Sequence, residues 1–364
     1  MKVCYVTSRY RPHTGGVETH VAELATRFAD RGHEVVVVSA DRGTHADGRR
    51  LPPRERLDGV RVRRVRALAP GEAFHVAPGV LRAVERVDPD LVHAHNYHSL
   101  PLTFAAAAVE RLGDVPLVAT PHYHGGSASG FRDRLLSLYR PVGGWALHRA
   151  DAVLAVSDWE ARRLAADFDL PARVVPNGVD VDRFRAAEPA TGPGDRPYLL
   201  SVGRLERYKG VQHAIRALAA LPEYDLVVAG TGPFGDDLRR IAREAGVADR
   251  VNFAGYVPDD DLPGLYAGAA AFLALSSFEA YGITVAEALA AGTPCVVREA
   301  GALVDWADRA DCVGIDLDGA TLGDADSAIA GGVREAVDRP APSEPLSSWA
   351  DVVERIAAIY DAVG

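Results

Sequence analysis

The sequence predicts an α/β protein built from two doubly wound domains, and three observations lead to this fold class. The 364 residues exceed the size of a typical single domain and are sufficient for two. Apolar runs of strand length alternate with amphipathic stretches of helix length, which indicates parallel sheets with helices on both faces. A stretch rich in proline and glycine, Glu188–Pro197, interrupts the alternation, which then restarts.

The first series of alternating elements occupies residues 1–182, which we assign to an N-terminal domain. Its expected strands are Lys2–Thr7, Glu34–Ser39, Val60–Arg66, Leu91–His95, Leu117–Thr120, Ala152–Val156 and Arg173–Val175. Between most of these strands the apolar residues recur at helical spacing. Clear examples of such helices are Val17–Arg31, Val80–Val87 and Leu102–Leu112.

The second series occupies residues 183–345, which we assign to a C-terminal domain, with Glu188–Pro197 as the best linker candidate. Its expected strands are Tyr198–Val202, Asp225–Ala229, Val251–Phe253, Ala271–Leu275, Cys295–Val297 and Cys312–Ile315. The remaining segment, residues 346–364, carries apolar residues at helical spacing. It predicts a terminal amphipathic helix that needs an apolar surface to cover.

Composition and charge exclude several classes of protein. No apolar run is long enough to span a bilayer, and the opening residues predict a first strand rather than a signal peptide. The three cysteines lie scattered in apolar stretches, which favours buried thiols in a reducing, cytoplasmic compartment. The net charge is −10, and residues 183–364 contribute −12 of it (16 basic against 28 acidic residues). An acidic chain argues against nucleic acid as the main partner.

Two cations follow the expected strand that ends at Val202. Arg204 and Lys209 lie in the sequence Gly-Arg-Leu-Glu-Arg-Tyr-Lys-Gly, directly before a helical pattern. A guanidinium fork, an ammonium and a helix N-terminus at one strand end would suit a diphosphate group. The alternative is that both are solvated surface cations. Lysine is rare in this chain, which contains only Lys2 and Lys209 beside 38 arginines.

A second candidate site follows the expected strand Ala271–Leu275. Gly282 would let the backbone approach a ligand closely, and a helix that starts near Ile283 would offer free amide donors to a phosphate. Glu287 lies about 6 Å farther along that helix, which matches the reach from a diphosphate to its ribose. Glu279 precedes the helix, where a sugar would lie. The alternative is two exposed glutamates near a helix end.

Five motifs in order resemble those of glycosyltransferase family four. The Glu-x7-Glu pattern from Glu279 to Glu287 is similar to the family's signature, and residues 203–210 are similar to its phosphate motif. Three further motifs resemble its first loop, its active-site loop and its interdomain segment: Pro12–His20, Thr120–His122 and Val175–Asp180. The resemblance covers residues 1–300 and the closing helix. The chain departs from the family at residues 300–305, where a Gly-Gly-x-Pro-Glu turn is common.

The resemblance implies a GT-B fold, in which two Rossmann-like domains face each other across a cleft and the last helix crosses back to the N-terminal domain. It also implies retaining transfer of a sugar from a nucleoside diphosphate sugar to an acceptor hydroxyl on a glycan or a lipid-linked molecule. Two alternatives stay open. A nucleotide-sugar epimerase of the same fold would bind the same donor, and a non-catalytic subunit would bind nucleotide without turnover.

The resemblance implies roles at individual positions. The implied donor-binding residues are Gly16, Arg204, Lys209, Tyr256, Val257, Gly282, Ile283 and Glu287. Of these, Arg204 and Lys209 would hold the diphosphate, Glu287 the ribose, and the backbone of Tyr256 and Val257 would border the base. The implied catalytic residues are His122, near the anomeric carbon, and Glu279, at the donor sugar. The implied acceptor-side residues are Glu18, His20 and His124.

Histidines also raise the question of a metal site. His93, His95 and His98 follow one strand, and His124 follows His122. Zinc uses such ligands. We expect no metal and no cofactor, because neither a cysteine nor a carboxylate completes a ligand set. The base, the sugar, the acceptor and the oligomeric state stay open.

Two segments of the N-terminal domain favour a membrane surface. Residues 42–66 hold nine arginines against three acidic residues. Farther on, apolar and arginine side chains mix: Phe131, Leu135, Leu138, Tyr139, Val142 and Trp145 with Arg132, Arg134, Arg140 and Arg149. This pattern favours peripheral docking on anionic lipid at the inner face of the membrane, near a lipid-linked acceptor. The alternative is a solvated basic face beside a helix of the core.

Overall fold

The computed structural model describes residues 1–42, 50–68, 76–126 and 130–364, and the side chains at all of these except 130–133. These residues form two compact units. The first unit is Met1–Gly178 with Trp349–Gly364, and the second is Val179–Ser348. Each unit is a doubly wound α/β sheet, so the predicted fold class is confirmed.

The first unit contains an eight-stranded sheet in the spatial order β3-β4-β2-β1-β5-β6-β7-β8. Its strands are β1 (Lys2–Val6), β2 (Glu34–Ala40), β3 (Arg54–Leu57), β4 (Val60–Val65), β5 (Leu91–His95), β6 (Leu117–Thr120), β7 (Ala152–Ala155) and β8 (Arg173–Val174). All neighbouring pairs are parallel except β3 with β4. The strand order reverses direction between β1 and β5, so the loops after these two strands lie beside each other.

Helices cover both faces of the first sheet. They are α1 (Gly16–Asp30), α2 (Gly79–Val87), α3 (Pro101–Leu112), α4 (Gly130–His148), α5 (Asp158–Phe168) and, after the second unit, α13 (Trp349–Val363). Because side chains alternate along β1, Cys4 and Val6 pack with α2, α3, α4 and α5, whereas Val3 and Tyr5 pack with α1 and α13. The terminal amphipathic helix therefore covers an apolar face of the first unit, as the fold class requires.

The second unit contains a six-stranded, fully parallel sheet in the order β11-β10-β9-β12-β13-β14. Its strands are β9 (Tyr198–Val202), β10 (Asp225–Ala229), β11 (Val251–Gly255), β12 (Ala271–Ala274), β13 (Cys295–Arg298) and β14 (Cys312–Ile315). The order reverses between β9 and β12, and the loops after these strands form the second crevice.

Helices again cover both faces of this sheet. They are α6 (Val181–Arg185), α7 (Val211–Ala217), α8 (Gly235–Glu244), α9 (Leu262–Ala267), α10 (Ile283–Ala290), α11 (Leu303–Ala307) and α12 (Leu322–Val337). One face packs against α7, α8 and α12, and the other against α6, α9, α10 and α11. Among the described residues no helix combines the length and the apolar character that a bilayer crossing requires.

One expectation differs from the structure, and one observed strand has no counterpart among the expected strands. The stretch 188–197 does not join the units, because the division falls at Gly178 and Val179, inside the Pro-Asn-Gly-Val segment. Instead, the backbone N–H of Ala190 donates to the carbonyl of Gly264 at 2.8 Å, which holds this stretch against α9. Strand β3 was not expected either. It is an antiparallel edge strand of alternating charges, Arg-Glu-Arg-Leu, without an apolar run to reveal it.

Candidate active site

The loops after β9 and β12 meet in the second unit and bring the two candidate donor motifs together. The N–H of Ser277 donates to the carbonyl of Tyr208 at 2.8 Å, which ties one loop to the other. A single cavity beside this contact is lined by residues of both loops, among them Gly203, Arg204, Lys209, Glu279, Gly282 and Thr284. The spatial grouping of these residues follows from the reversal of strand order.

Lys209 and Glu279 form an ion pair in this cavity, with Nζ 2.6 Å from Oε1. Both side chains are about four-fifths buried. Burial acts to lower the pKa of Lys209, but the charge and the hydrogen bond of Glu279, together with Tyr208, outweigh burial and raise that pKa above its ordinary value. The Lys209 ammonium is therefore charged at neutral pH.

A glycine fixes the position of Lys209. The single turn Arg207–Lys209 ends at Gly210, whose φ is +76°. A Cβ atom at Gly210 would lie 2.1 Å from the carbonyl oxygen of Leu275, at the end of the neighbouring strand. Only glycine combines this backbone conformation with so close an approach. The loop that carries the lysine is thus locked against the loop that leads to Glu279.

Helix α10 begins at the same cavity. Gly282 precedes it with φ +95°, and a Cβ there would lie 2.9 Å from Leu303 Cδ2. Among the described residues no side chain caps this N-terminus, so the first amide groups of α10, beginning at Ile283, are available to an anion. The Trp306 indole donates to the carbonyl of Tyr281 at 2.5 Å and holds the approach to the helix.

Glu287 lies one turn into α10, largely removed from solvent. It accepts a hydrogen bond from the hydroxyl of Tyr266 at 2.8 Å, a partner that sequence reasoning missed. Burial raises the pKa of Glu287 to about 7. Tyr256 and Val257 follow β11, which is separated from β9 by β10, and they are not among the residues that line the Lys209 cavity.

The crevice of the first unit carries the other candidate residues. Gly16 is the exposed first residue of α1, and a Cβ there would meet nothing within 4 Å. Glu18 follows in the first turn and its carboxylate bends back toward Gly15. His124 stacks on His98 with ring centroids 3.8 Å apart. These residues surround the loops after β1, β5 and β6.

Three buried histidines come together beneath these loops. His20 extends inward from α1, His95 ends β5, and His122 follows β6 with a left-handed φ of +48°. The rings of His20 and His122 lie 5.2 Å apart, and His95 Nδ1 lies 3.4 Å from His122 Nε2. Burial lowers the pKa of all three, that of His20 to about 4, so the rings are neutral at physiological pH. The sequence motifs predicted that His20 and His122 are site residues, but they did not predict that both contact His95.

A buried carboxylate holds the backbone beside His122. Glu160 accepts hydrogen bonds from the N–H of Tyr123 at 2.5 Å and from the N–H of Val156 at 2.7 Å. It is the third residue of α5, whose N-cap Ser157 accepts from the Glu160 N–H at 3.0 Å. The sequence Ser-Asp-Trp-Glu is a capping-box pattern. That pattern could have indicated the helix start, but not that the carboxylate reaches the loop after β6.

These observations define a class of protein. Each unit is a Rossmann-like sheet with its polar residues beyond the carboxyl ends of the strands. The second unit holds a paired lysine and glutamate at the start of a helix. Two such units in one chain, with the last helix returned to the first unit, make up a protein of the GT-B fold.

Comparison with known proteins identifies the family. Residues 14–183 match the family described as Glycosyltransferase Family 4, and residues 182–314 match Glycosyl transferases group 1. The chain belongs to glycosyltransferase family four. It is 32% identical to a glycogen synthase of Mycobacterium tuberculosis, over 94% of this chain and 88% of that protein. It is 34% identical to a D-inositol 3-phosphate glycosyltransferase of Actinosynnema mirum, over 95% of this chain and 92% of that protein.

Solved structures share the fold at low sequence identity. A sucrose-phosphate synthase from Thermosynechococcus elongatus matches with a TM-score of 0.79 and 20% identity, over 100% of this chain and 98% of that one. The Anabaena protein HepE, in complex with UDP-glucose, matches with a TM-score of 0.73 and 20% identity over the whole of both chains.

Proposed function

We propose that the protein transfers a sugar from a nucleoside diphosphate sugar to an acceptor hydroxyl, with retention of anomeric configuration and without a dedicated metal ion. The observation that carries this proposal is the 2.6 Å ion pair between Lys209 and Glu279. It lies in one cavity with Arg204 and Gly282, at the uncapped start of α10. Opposite charges held side by side suit a reaction that separates charge.

The departing diphosphate is the first charge to be stabilised. An ammonium has three N–H donors, and Glu279 accepts one of those of Lys209, which leaves two for phosphate oxygens. Arg204 adds a guanidinium fork, and the amides at Ile283 add the positive end of a helix. Donors that are already in place when charge develops lower the barrier most. This set does the work that a metal ion does at other diphosphate sites, which supports metal independence.

The second charge develops on the sugar ring as the bond from its anomeric carbon to the diphosphate breaks. The carboxylate of Glu279, fixed by Lys209, is the group of the second unit that we assign to it. Glu287 would accept from the ribose hydroxyls with the oxygen that Tyr266 leaves free. In the first unit, neutral His122 would act on the acceptor side with Glu18 and His124, and Gly16 would approach the donor phosphates. His20 is almost completely buried, so it would act on the acceptor side only through its contact with the His122 ring.

The relatives support a sugar nucleotide as donor. The Anabaena structure contains UDP-glucose, and the two named relatives are a glycogen synthase and an inositol phosphate glycosyltransferase. These names differ in their acceptors, and neither names a lipid-linked molecule. A glycan or a lipid-linked acceptor therefore remains our own assignment, which the acceptor panel tests. The backbone of Tyr256 and Val257 remains our assignment for the base.

A donor screen tests the proposal. The protein is incubated with uridine, adenosine and guanosine diphosphate sugars and a panel of glycan and lipid-linked acceptors, and release of free nucleoside diphosphate is measured. Proton NMR of the product then gives the anomeric configuration. We expect retention, and activity that persists in EDTA. An inverted product, or loss in EDTA that Mn²⁺ restores, contradicts the proposal.

The same screen separates the two alternatives. An epimerase would convert the sugar nucleotide into its isomer without any acceptor. A non-catalytic subunit would bind a nucleotide and release nothing. Parallel reactions without acceptor, and calorimetric titration with the free nucleoside diphosphates, distinguish these outcomes from transfer.

We also propose that the protein is cytoplasmic and docks peripherally on the inner face of an anionic membrane. The supporting observation is an apolar stripe on α4, formed by Leu135, Leu138, Val142 and Trp145. These positions share one side of the helix, and Leu138 is 77% and Trp145 45% exposed. Three buried free thiols agree with a reducing compartment.

The basic segment 42–66 contributes less than its composition indicated. Arg50 pairs with Asp41, Arg61 with Glu34, and Arg64 with Glu55. Residues 43–49 lie outside the described part of the chain, as do the side chains of Phe131 and Arg132. The proposal therefore depends on the α4 stripe.

Vesicle co-sedimentation at low salt tests this docking. We expect binding to anionic vesicles and its loss in Leu138→Ser. The matched control is Leu322→Ser, a similarly exposed leucine in the second unit. Failure of the parent protein to bind anionic vesicles, or equal loss in both variants, contradicts the proposal.

A further inference from the structure

Buried polar atoms without hydrogen-bond partners collect at one place in the first unit. Among the described residues, both ring nitrogens of His20, Nε2 of His95 and Oδ1 of Asn177 have no partner. His20 and His95 are almost completely buried, and Asn177 is 5% exposed. Unsatisfied polar atoms are rare in folded proteins, and each needs a water molecule, an ion or another explanation. Here, three of the four are imidazole nitrogens.

The geometry of these imidazoles is close to that of a metal site. His20, His95 and His122 each offer one nitrogen, and the three nitrogens lie within 4.8 Å of one another. In a tetrahedral zinc site with Zn–N distances of about 2.0–2.1 Å, two ligand nitrogens lie about 3.4 Å apart. The distance from His95 Nδ1 to His122 Nε2 is 3.4 Å. Without an ion the two neutral rings share one hydrogen bond through His95 Nδ1. The same spacing fits two ligands of one ion, and the unsatisfied Nε2 of His95 is then the nitrogen that faces away from the ion.

The sequence alone predicts no metal site, because neither a cysteine nor a carboxylate completes the ligand set. The structure supplies the third ligand from elsewhere, since His20 reaches the pair from helix α1. Three neutral imidazoles with one open position are a known zinc ligand set. They also suit copper, nickel and cobalt, and they do not suit magnesium or calcium, which prefer oxygen.

A second feature points to the same ligand. A histidine that binds a metal through one nitrogen usually donates its other N–H to an oxygen acceptor nearby. The side chain of Asn177 lies beside His20, and its carbonyl oxygen is an unsatisfied acceptor. If His20 directs one N–H to Asn177, its other nitrogen presents a lone pair to His95 and His122.

We propose that His20, His95 and His122 bind one transition-metal ion of the zinc class, with Asn177 orienting His20. The ion joins α1, the end of β5 and the loop after β6 into one rigid element. This site shares His20 and His122 with the proposed acceptor side, although the proposed transfer itself uses no metal. One consequence rests on the proposed function: an ion that holds His122 removes it from the acceptor side, so occupancy inhibits transfer.

Metal titration tests the site directly. Protein stripped with EDTA is titrated with Co²⁺, which reports four- or five-coordinate binding through visible ligand-field absorption. We expect one equivalent to bind, Zn²⁺ to displace it, and Zn²⁺ to raise Tm by several degrees. His20→Gln and His95→Gln should lose the absorption. His148→Gln, which changes an exposed histidine of the same unit, should retain it.

The proposal is refuted if the parent protein shows no visible absorption that saturates at one equivalent of Co²⁺. Equal absorption in folded His20→Gln also overturns it, with folding checked by circular dichroism. If that variant does not fold, ¹⁵N shifts of the parent's histidine rings on Zn²⁺ addition replace it, and unchanged shifts of His20, His95 and His122 overturn the site. The metal titration contains neither donor nor acceptor, so its outcome does not depend on the donor screen. If the protein binds Co²⁺ but transfers no sugar when stripped of metal, the proposed function is refuted and the metal site stands.

Discussion

Lys209→Arg is the substitution that tests the donor site most sharply. The lysine ammonium lies 2.6 Å from Glu279 in a pair that is about four-fifths buried. Arginine keeps the charge but replaces a compact ammonium by a longer, planar fork that cannot bond to Glu279 and the diphosphate from the same point. One weakened charge-assisted hydrogen bond costs about 1.5–3 kcal/mol. We therefore expect kcat/KM to fall roughly ten- to a hundredfold.

The assay is the initial rate of nucleoside diphosphate release over a range of donor concentrations, with thermal melts to check folding. The other lysine of the chain provides the matched control. Lys2 donates to the carbonyls of Val87 and Asp88 at 3.2 and 3.0 Å, far from the second unit in sequence, so Lys2→Arg should keep parental turnover. Lys209→Ala should be slower than Lys209→Arg. Parental kcat/KM in Lys209→Arg would refute the role given to the ammonium.

Three further predictions follow from the burial of single groups. Burial raises the pKa of Glu287 to about 7, so donor KM should rise as pH falls through 7 in the parent, and should be high and independent of pH in Glu287→Gln. Burial raises the pKa of Glu160 to about 8, so it is the protonated carboxyl group that stabilises the folded state. This contribution to the free energy of unfolding is complete below the unfolded-state pKa and is lost as pH rises through 8. Denaturant unfolding should show this slope in the parent and in the cap variant Ser157→Ala, which loses about 1 kcal/mol, but not in Glu160→Gln. Gly282→Ala and Gly292→Ala both place a side chain at positive φ and should each lose roughly 1–3 kcal/mol of stability, yet only Gly282→Ala should weaken donor binding in calorimetry.

Much of the fold could be predicted because parallel strands are buried on both faces. Their apolar runs are continuous, and the expected strands near β1, β9 and β13 match the observed ones within a residue or two. The donor cavity could be predicted for a related reason. Residues that follow neighbouring parallel strands gather at one edge of the sheet, so Arg204 and Glu279 meet although they are far apart in sequence.

The rest depends on contacts that no local pattern records. Strand β3 alternates charges and pairs only at a sheet edge, and the stretch 188–197 has the composition of a linker but bonds to α9. The carboxylate of Glu160 supports the loop at Tyr123 from 37 residues away. His20 joins His95 only once α1 is packed on the sheet, so the three histidines could not be grouped from their spacing.

The return of α13 to the first unit has a consequence for synthesis on the ribosome. One apolar face of the first sheet is completed by Val352, Val353, Ile356 and Tyr360, which emerge after the whole second unit has been made. We therefore expect the second unit to fold first, which reverses the usual order in which the N-terminal domain folds first. Val179–Ser348 has all of its strands and helices available earlier, whereas the nascent first unit exposes an apolar surface until translation passes residue 360. That surface is where we expect a nascent-chain chaperone to bind.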